Sequence, residues 1–244
     1  MADRLQKLIA TAGYGSRRWA ERLIEQGRIE VNNKTAVIGE KAEMSDTVKI
    51  DGRKIDLGRY KEAETKVLIL NKQAGVICSN KDEEGRQSVY DLLPKESRWV
   101  MVGRLDLNTS GLLLFTNNGD LANKLMHPSS EIDREYAVRV LGQVENEDLR
   151  QLTEGIALED GFAKFSRVTV GGGTGANRWY KVVLREGRKR EVRRLWEALG
   201  FKVSRLIRIR FGEIRLPDKL KANQHEYLKP GQVGLLLDAV NLKG

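Results

Sequence analysis

Beyond residue 66 the sequence holds five short apolar runs of strand character, at 67–70, 100–102, 112–116, 136–141 and 203–209. Helix-period stretches at 119–126, 146–154 and 191–199 are spaced unevenly among them. A parallel βαβ series needs a crossover helix after every strand, and strands outnumber helices here. The pattern therefore predicts an α+β fold on a mainly antiparallel sheet. The first 60 residues obey a different period. Leu5, Leu8, Ile9 and Ala12 fall on i, i+3, i+4, i+7 spacing ahead of Gly13. Ser16 opens a second helix, 17–26, with Trp19, Leu23 and Ile24 facing inward and Gly27 as its stop. Strand-like segments follow at 28–31 and 47–50, and Asp51-Gly52 is a two-residue hairpin signal ahead of 53–55. Residues 57–65 are polar and aperiodic and read as a linker, which gives two domains, 1–60 and 65–244.

The menu of chemistry is short. Two histidines, His127 and His225, and one cysteine, Cys78, do not make up the usual zinc or iron ligand sets. No G-x-x-x-x-G-K-[ST] loop is present, and the glycine cluster at 171–175 reads as a hairpin tip after a strand-like segment. Any enzymatic work falls to carboxylates, tyrosines and arginines, with no cofactor and no metal. The apolar run at 112–115 is far shorter than the ~20 residues a bilayer crossing needs. The opening MADRLQK lacks the apolar core of a secretory signal, and a lone cysteine forms no internal disulfide, so a cytoplasmic location is expected.

The 244 residues carry 43 Lys+Arg against 34 Asp+Glu, a formal charge of +9. Residues 178–215 hold 13 Lys/Arg against 4 acids, so a surplus equal to that of the whole chain sits in this stretch. Within it Arg208 and Arg210 alternate with Ile207, Ile209 and Phe211, which predicts a half-buried strand with one cationic face. An isolated basic triplet usually marks solvated surface. Gathered charge on this scale favours a nucleic acid, because each phosphate neutralised releases condensed counterions.

Asp106 lies in VGRLDLNTSGLLLF, between two strand-like segments, with Arg104 before it and Asn108, Thr109 and Ser110 after it. Rigid strands make such a loop site-like. An Asp that caps its own loop in an Asx-turn is the commoner use of the residue.

The segment GRLDLNTSGLLLFTNNG resembles the signature of the RsuA/RluB family of ribosomal pseudouridine synthases, and its large-subunit branch is the most similar. The resemblance continues through REYAVRV, EGRKREVRRLWEALG and VSRLIRIRFG. At the N-terminus, AGYGSRRWAERLIEQGRIEVNNK resembles the S-four type RNA-binding domain, whose helix pair carries a basic face. The implied architecture is a small S-four type domain followed by a pseudouridine synthase catalytic domain, with a mainly antiparallel mixed sheet and flanking helices. The implied activity is cofactor-free isomerisation of a uridine to pseudouridine. The implied partner is ribosomal RNA, as a 23S stem-loop or a ribosome precursor, bound by a monomer.

By the same resemblance Asp106 is the catalytic carboxylate, and Tyr136 stacks on the base and is a candidate proton acceptor. Arg193 pairs with the aspartate, and Leu206 lies under the base. Arg104, Arg188, Lys189 and Arg190 match positions lining the RNA cleft. Arg17, Arg18 and Arg22 fall on the outer face of the second helix; on spacing alone they serve solubility as well as RNA. The chemistry fits the roles. Burial would oppose ionisation of Asp106, and a guanidinium that bonds both carboxylate oxygens would offset it. The target base must leave its stack, and Tyr136 with Leu206 would replace that surface.

The remaining residues read as structural. His127 ends a helix ahead of Pro128, Cys78 is a buried small residue, and Trp99, Trp179 and Trp196 are packing anchors. Two departures from the family stand out. Gln73 replaces a common proline in NKQAG, which puts that loop's shape in question, and the chain ends at Gly244 without a long basic tail, so no tail-dependent gain in RNA affinity is expected. Two other functions use the same motifs: a synthase for a different ribosomal uridine, including one in the small subunit, and a non-catalytic RNA-binding assembly factor.

Overall fold

Helix α1 (Leu5–Thr11) buries Leu5, Leu8 and Ile9, and α2 (Arg17–Glu25) starts where the Ser16 hydroxyl accepts the Trp19 amide at 3.0 Å. These elements come from a computed structural model that describes residues 2–58, 64–79, 82, 84–173 and 177–242. The chain divides into two compact units between residues 64 and 65. Residues 59–63, the middle of the expected linker, and 174–176, the tip of the expected glycine-rich hairpin, lie outside the described residues.

In the first unit α1 and α2 pack on two small sheets. The pair β1 (Asp3–Arg4) with β4 (Lys41–Ala42) forms one; β2 (Ile29–Val31), β3 (Lys34–Thr35), β5 (Val48–Ile50) and β6 (Arg53–Ile55) form the other, in the order β3-β2-β5-β6. Asp51 and Gly52 both take positive φ, 52° and 75°, as a hairpin turn between β5 and β6 requires. Its core holds Leu5, Ile9, Ala20, Leu23, Ile24, Ile29 and Val48. Trp19 is only half-buried; it caps this core and lies against Gly15.

The second unit is built on one sheet with the path β13-β14-β10-β15-β9-β7-β17. Its strands are β7 (Val67–Lys72), β9 (Ser110–Thr116), β10 (Arg134–Leu141), β13 (Arg167–Val170), β14 (Asn177–Leu184), β15 (Lys202–Phe211) and β17 (His225–Tyr227). Off the path, β8 (Val100–Val102) pairs with β9, and β16 (Ile214–Arg215) pairs with β15. Among the described strands of this sheet only β9 and β15 run parallel, so the sheet is mixed and mainly antiparallel. Helices α3 (Gly119–Met126) and α6 (Pro230–Asp238) cover Leu112 and Leu114 on one face, while Leu113 and Phe115 pack with Leu68, Leu70 and Trp99 on the other. That two-sided cover explains the unbroken LLLF of β9. Helices α4 (Asn146–Glu154) and α5 (Glu191–Ala198) pack with the β10, β14 and β15 half, where Trp196 is fully buried among Phe165, Tyr180 and Phe201. A hairpin of β11 (Ile156–Leu158) and β12 (Gly161–Ala163) lies beside α5.

Two expectations are overturned. The alternation in β15 is inverted: Arg208 and Arg210 are buried, and Ile207 and Ile209 are half-exposed. The arginines are tolerated inside because each finds acceptors. Arg208 Nε donates to the Leu112 carbonyl at 2.7 Å, and Arg210 Nε donates to Glu135 at 2.7 Å. Trp179 is no packing anchor; it is half-exposed and belongs to none of the apolar clusters, whereas Trp99 and Trp196 are buried.

Candidate active site

The loop that carries Asp106 runs from the end of β8 to the start of β9, and its main chain is gripped from below. Lys72, the last residue of β7, is fully buried. Its ammonium donates to the carbonyls of Asp106 at 3.2 Å, Leu107 at 3.4 Å, Thr109 at 2.9 Å and Gln73 at 3.1 Å. The Gly75 amide reaches Leu107 O at 2.8 Å, and Thr109 N closes a turn onto Asp106 O at 3.0 Å. Burial pulls the Lys72 ammonium below its ordinary pKa, and the nearby Asp106 carboxylate opposes that fall.

Arg193, on α5, is the second tether. It is buried, and its guanidinium donates to Asn108 O and Val203 O, both at 2.9 Å, so it ties the loop to α5 and to β15. The expected two-pronged grip on the Asp106 carboxylate is not made. Asp106 is solvent-exposed, and its charge reaches Arg193 through space: burial and Arg190 push the guanidinium down from its usual pKa, and Asp106 pushes it up.

Gly111 sets the approach of the loop to β15. Its φ is 100°, and a Cβ there would lie 2.3 Å from the Arg208 carbonyl oxygen. Only glycine lets β9 pair with β15 at Ser110–Ile207 and Gly111–Arg208, immediately after the Asp106 loop.

Tyr136 stands on β10 opposite Arg208, and Leu206 on β15 opposite Val138, so the two are diagonal neighbours on one sheet face. Tyr136 is half-buried and packs against both apolar clusters of that face, one of which contains Leu105, the neighbour of Asp106. Leu206 is buried. Four elements thus bring an exposed carboxylate, a buried guanidinium, a half-buried aromatic ring and a buried leucine into one region.

The basic residues divide. Arg104 and Lys189 are exposed and carry no ion pair among the described residues. Arg190, in the left-handed region at φ 53°, pairs with Glu197 at 3.2 Å. Arg188 is committed within the fold: it donates to Glu186 at 2.6 Å, Phe162 O at 2.6 Å and Gly161 O at 3.2 Å. Arg17, Arg18 and Arg22 lie exposed on α2 of the first unit.

A family model described as RNA pseudouridylate synthase matches residues 66–198, more than half of the chain. The chain belongs to that family. A second model, the S4 domain, matches residues 3–48 of this pseudouridylate synthase. Ribosomal large subunit pseudouridine synthase B of Yersinia pestis is 53% identical over 224 residues, covering 90% of this chain and 70% of the relative. Its namesake in Escherichia coli (strain K12) is 50% identical over 246 residues, covering 99% and 84%. A crystal structure of a pseudouridylate synthase aligns with a TM-score of 0.67 at 25% identity, over 96% of this chain and 99% of that one.

Lys72 joins the candidate site only through the structure, since no motif marks it. Its one trace in the sequence is a lone cation closing the apolar run VLILN, where a strand leaves the core. Gln73 also gains an explanation. Its backbone N–H donates to the Asn223 side chain at 3.1 Å and its side-chain oxygen accepts from Asn223 at 3.0 Å, a reciprocal pair whose backbone half a proline would lack. Among the described residues of this synthase no group of three or more His, Cys, Asp and Glu could hold a metal ion. No helix among them is long and apolar enough to cross a membrane.

Proposed function

We propose that the chain converts one uridine of bacterial 23S ribosomal RNA to pseudouridine, as a cytoplasmic monomer and without a cofactor. The reaction breaks the bond between ribose C1′ and N1 of uracil, turns the base, and joins C1′ to C5; C5 gives up its proton and N1 takes one up, so substrate and product are isomers. Attack on sugar or ring, or removal of a sugar proton, shares one requirement, an anionic carboxylate held beside the ribose–base bond. Asp106 supplies it. The observation that carries this reading is the Asp106 loop itself, whose carbonyls are tied down by Lys72 and Arg193 while the carboxylate is left open. Preorganisation of this kind fixes the reacting group without occupying it.

When RNA covers the site, Asp106 loses water and its charged form becomes costly. The buried positive charges of Arg193 and Lys72 oppose that cost at the moment of binding. Tyr136 stacks on the everted base and stands ready to accept the C5 proton, and Leu206 forms the floor; an aromatic–base stack is worth roughly 1–3 kcal/mol, enough to offset unstacking of a loop nucleotide. Arg104, Lys189 and Arg190 contact the RNA backbone near this site, and Arg17, Arg18 and Arg22 contact it from the S4 domain.

Asp106→Asn keeps the size and hydrogen-bonding surface of the side chain and removes its charge. Pseudouridine formation on 23S transcript should fall below detection while RNA affinity stays within about threefold, since most of the favourable contact is with phosphates. Wild-type turnover by the Asn variant would end the assignment. Mapping pseudouridine in a deletion strain identifies the uridine; loss of a small-subunit position instead would move the target.

A further inference from the structure

The half of the catalytic-unit sheet formed by β13, β14, β10 and β15 has two unlike faces. One is packed with α4 and α5 through Val138, Val140, Tyr180, Val182 and Leu206 and leads to Tyr136. On the other, register places Trp179, Arg139 and Arg205 side by side in one row, and Lys181, Ala137 and Ile207 in the next, with Arg167 further along on the edge strand. This second face is open: Lys181, Arg205 and Arg167 are exposed, and Arg139, Trp179 and Ile207 are half-exposed.

Its charge is uncompensated. None of Arg139, Lys181, Arg205 and Arg167 has an ion pair or a side-chain hydrogen bond among the described residues. The acid nearest in register, Glu135, is buried and bound to Arg210. Arg139 and Arg205 are like charges directly opposite each other across two strands, an arrangement that destabilises a sheet unless an anion lies between them. A half-exposed tryptophan beside unpaired guanidinium groups is the make-up of a surface that holds phosphates and stacks a base.

We propose that this open sheet face is a second RNA-binding surface, on the side of the sheet opposite Tyr136 and Leu206, for a segment of the ribosomal RNA distant from the uridine that reaches Asp106. The assignment rests on the reading of the chain as a ribosomal RNA enzyme. Arg139, Lys181, Arg205 and Arg167 hold the backbone, and Trp179 stacks on an unpaired base. The minimal target loop, engaged on the other face, has no need of these residues.

The test compares wild type with the R139Q/K181Q/R205Q triple variant and with Trp179→Ala, on a short stem-loop containing the mapped uridine and on full-length 23S transcript. For the triple variant, kcat and KM on the stem-loop should stay within about twofold. Its Kd for the full-length RNA should rise about tenfold or more, and the slope of log Kd against log salt should fall by about 2–3. Trp179→Ala should weaken full-length binding with the slope unchanged, because stacking releases no counterions. Equal affinity and slope for all three proteins would overturn the proposal. So would loss of stem-loop turnover in the triple variant, which would place these residues in the catalytic cleft or in the folding core. Loss of binding to phosphatidylcholine vesicles containing phosphatidylglycerol, with RNA binding intact, would assign the face to lipid instead. If wild type modified neither RNA, the catalytic reading would fail, and the full-length binding comparison would still decide the sheet face.

Discussion

Lys72 shows how one side chain can organise a site that it does not enter. A fully buried ammonium is costly, and here four carbonyls share it, three of them in the Asp106 loop. Lys72→Met would keep the volume and remove the ammonium that the carbonyls of Gln73, Asp106, Leu107 and Thr109 share. The expected loss is about 2–4 kcal/mol of stability, read by urea denaturation, together with a fall in kcat larger than any change in KM. A kcat equal to wild type would show that the loop keeps its shape unaided. The same residue illustrates what a sequence discloses at this scale. Asp106 stands out as a candidate in the sequence because its neighbours form a continuous motif. Lys72 acts through main-chain oxygens 34 to 37 positions away, and no side-chain pattern records them. Arg208 was misread for a related reason: alternation gives the period of a strand but does not say which face is inside, and the acceptor that makes burial tolerable is the Leu112 carbonyl of another strand.

Elements are held by latches as well as by cores. The β11–β12 hairpin presents Asp160 to Arg194 at 2.8 Å, and its Gly161 and Phe162 carbonyls to Arg188. Arg188→Ala should therefore speed amide exchange across 156–163 while changing the salt dependence of RNA binding little. A slope lowered by about 1 would return Arg188 to the RNA contacts. The edge strand β17 carries a pH-sensitive tie, the Tyr227 hydroxyl donating to Glu96 at 2.7 Å. Burial and that carboxylate push Tyr227 from 10.0 up to about 12. The folded state keeps this proton longer than the unfolded chain does, so below pH 10 the two states match, and stability declines as pH rises from 10 towards 12. Tyr227→Phe should lack this part of the alkaline decline, seen as a smaller difference between melts at pH 9 and pH 11; identical declines would show that the bond is not kept in solution. Element types were largely readable where one period ran on: α3 and α4 occupy 119–126 and 146–154, as the spacing predicts. Strand β14 was hidden because Arg178, Trp179 and Lys181 leave the core while Tyr180 and the whole VVL end are buried, which breaks simple alternation.

At the scale of the molecule, two units divide the work by chemistry. In the S4 domain α2 leaves Arg17, Arg18 and Arg22 exposed, and in the other unit Asp106 is the exposed carboxylate proposed for the chemistry. Arg17→Ala with Arg18→Ala should weaken 23S binding most at low salt and reduce the salt slope by about 2, with kcat at saturating RNA unchanged. An unchanged affinity would remove this helix from the interface. The α+β class and the two-part plan were apparent from the change of period near residue 60. The division of the catalytic sheet into a packed face and an open one was not, because it depends on where α3, α4, α5 and α6 come to rest, and only register reveals which residues they leave uncovered.

The tethers from Lys72, Arg193 and Gly75 hold backbone oxygens of the Asp106 loop, and among the described residues no hydrogen bond holds the side chain at position 106. The fold is therefore indifferent to what that position carries. Glutamate, cysteine or serine could be installed there in an unaltered frame, which makes this protein a socket for testing which functional groups break a nucleosidic bond.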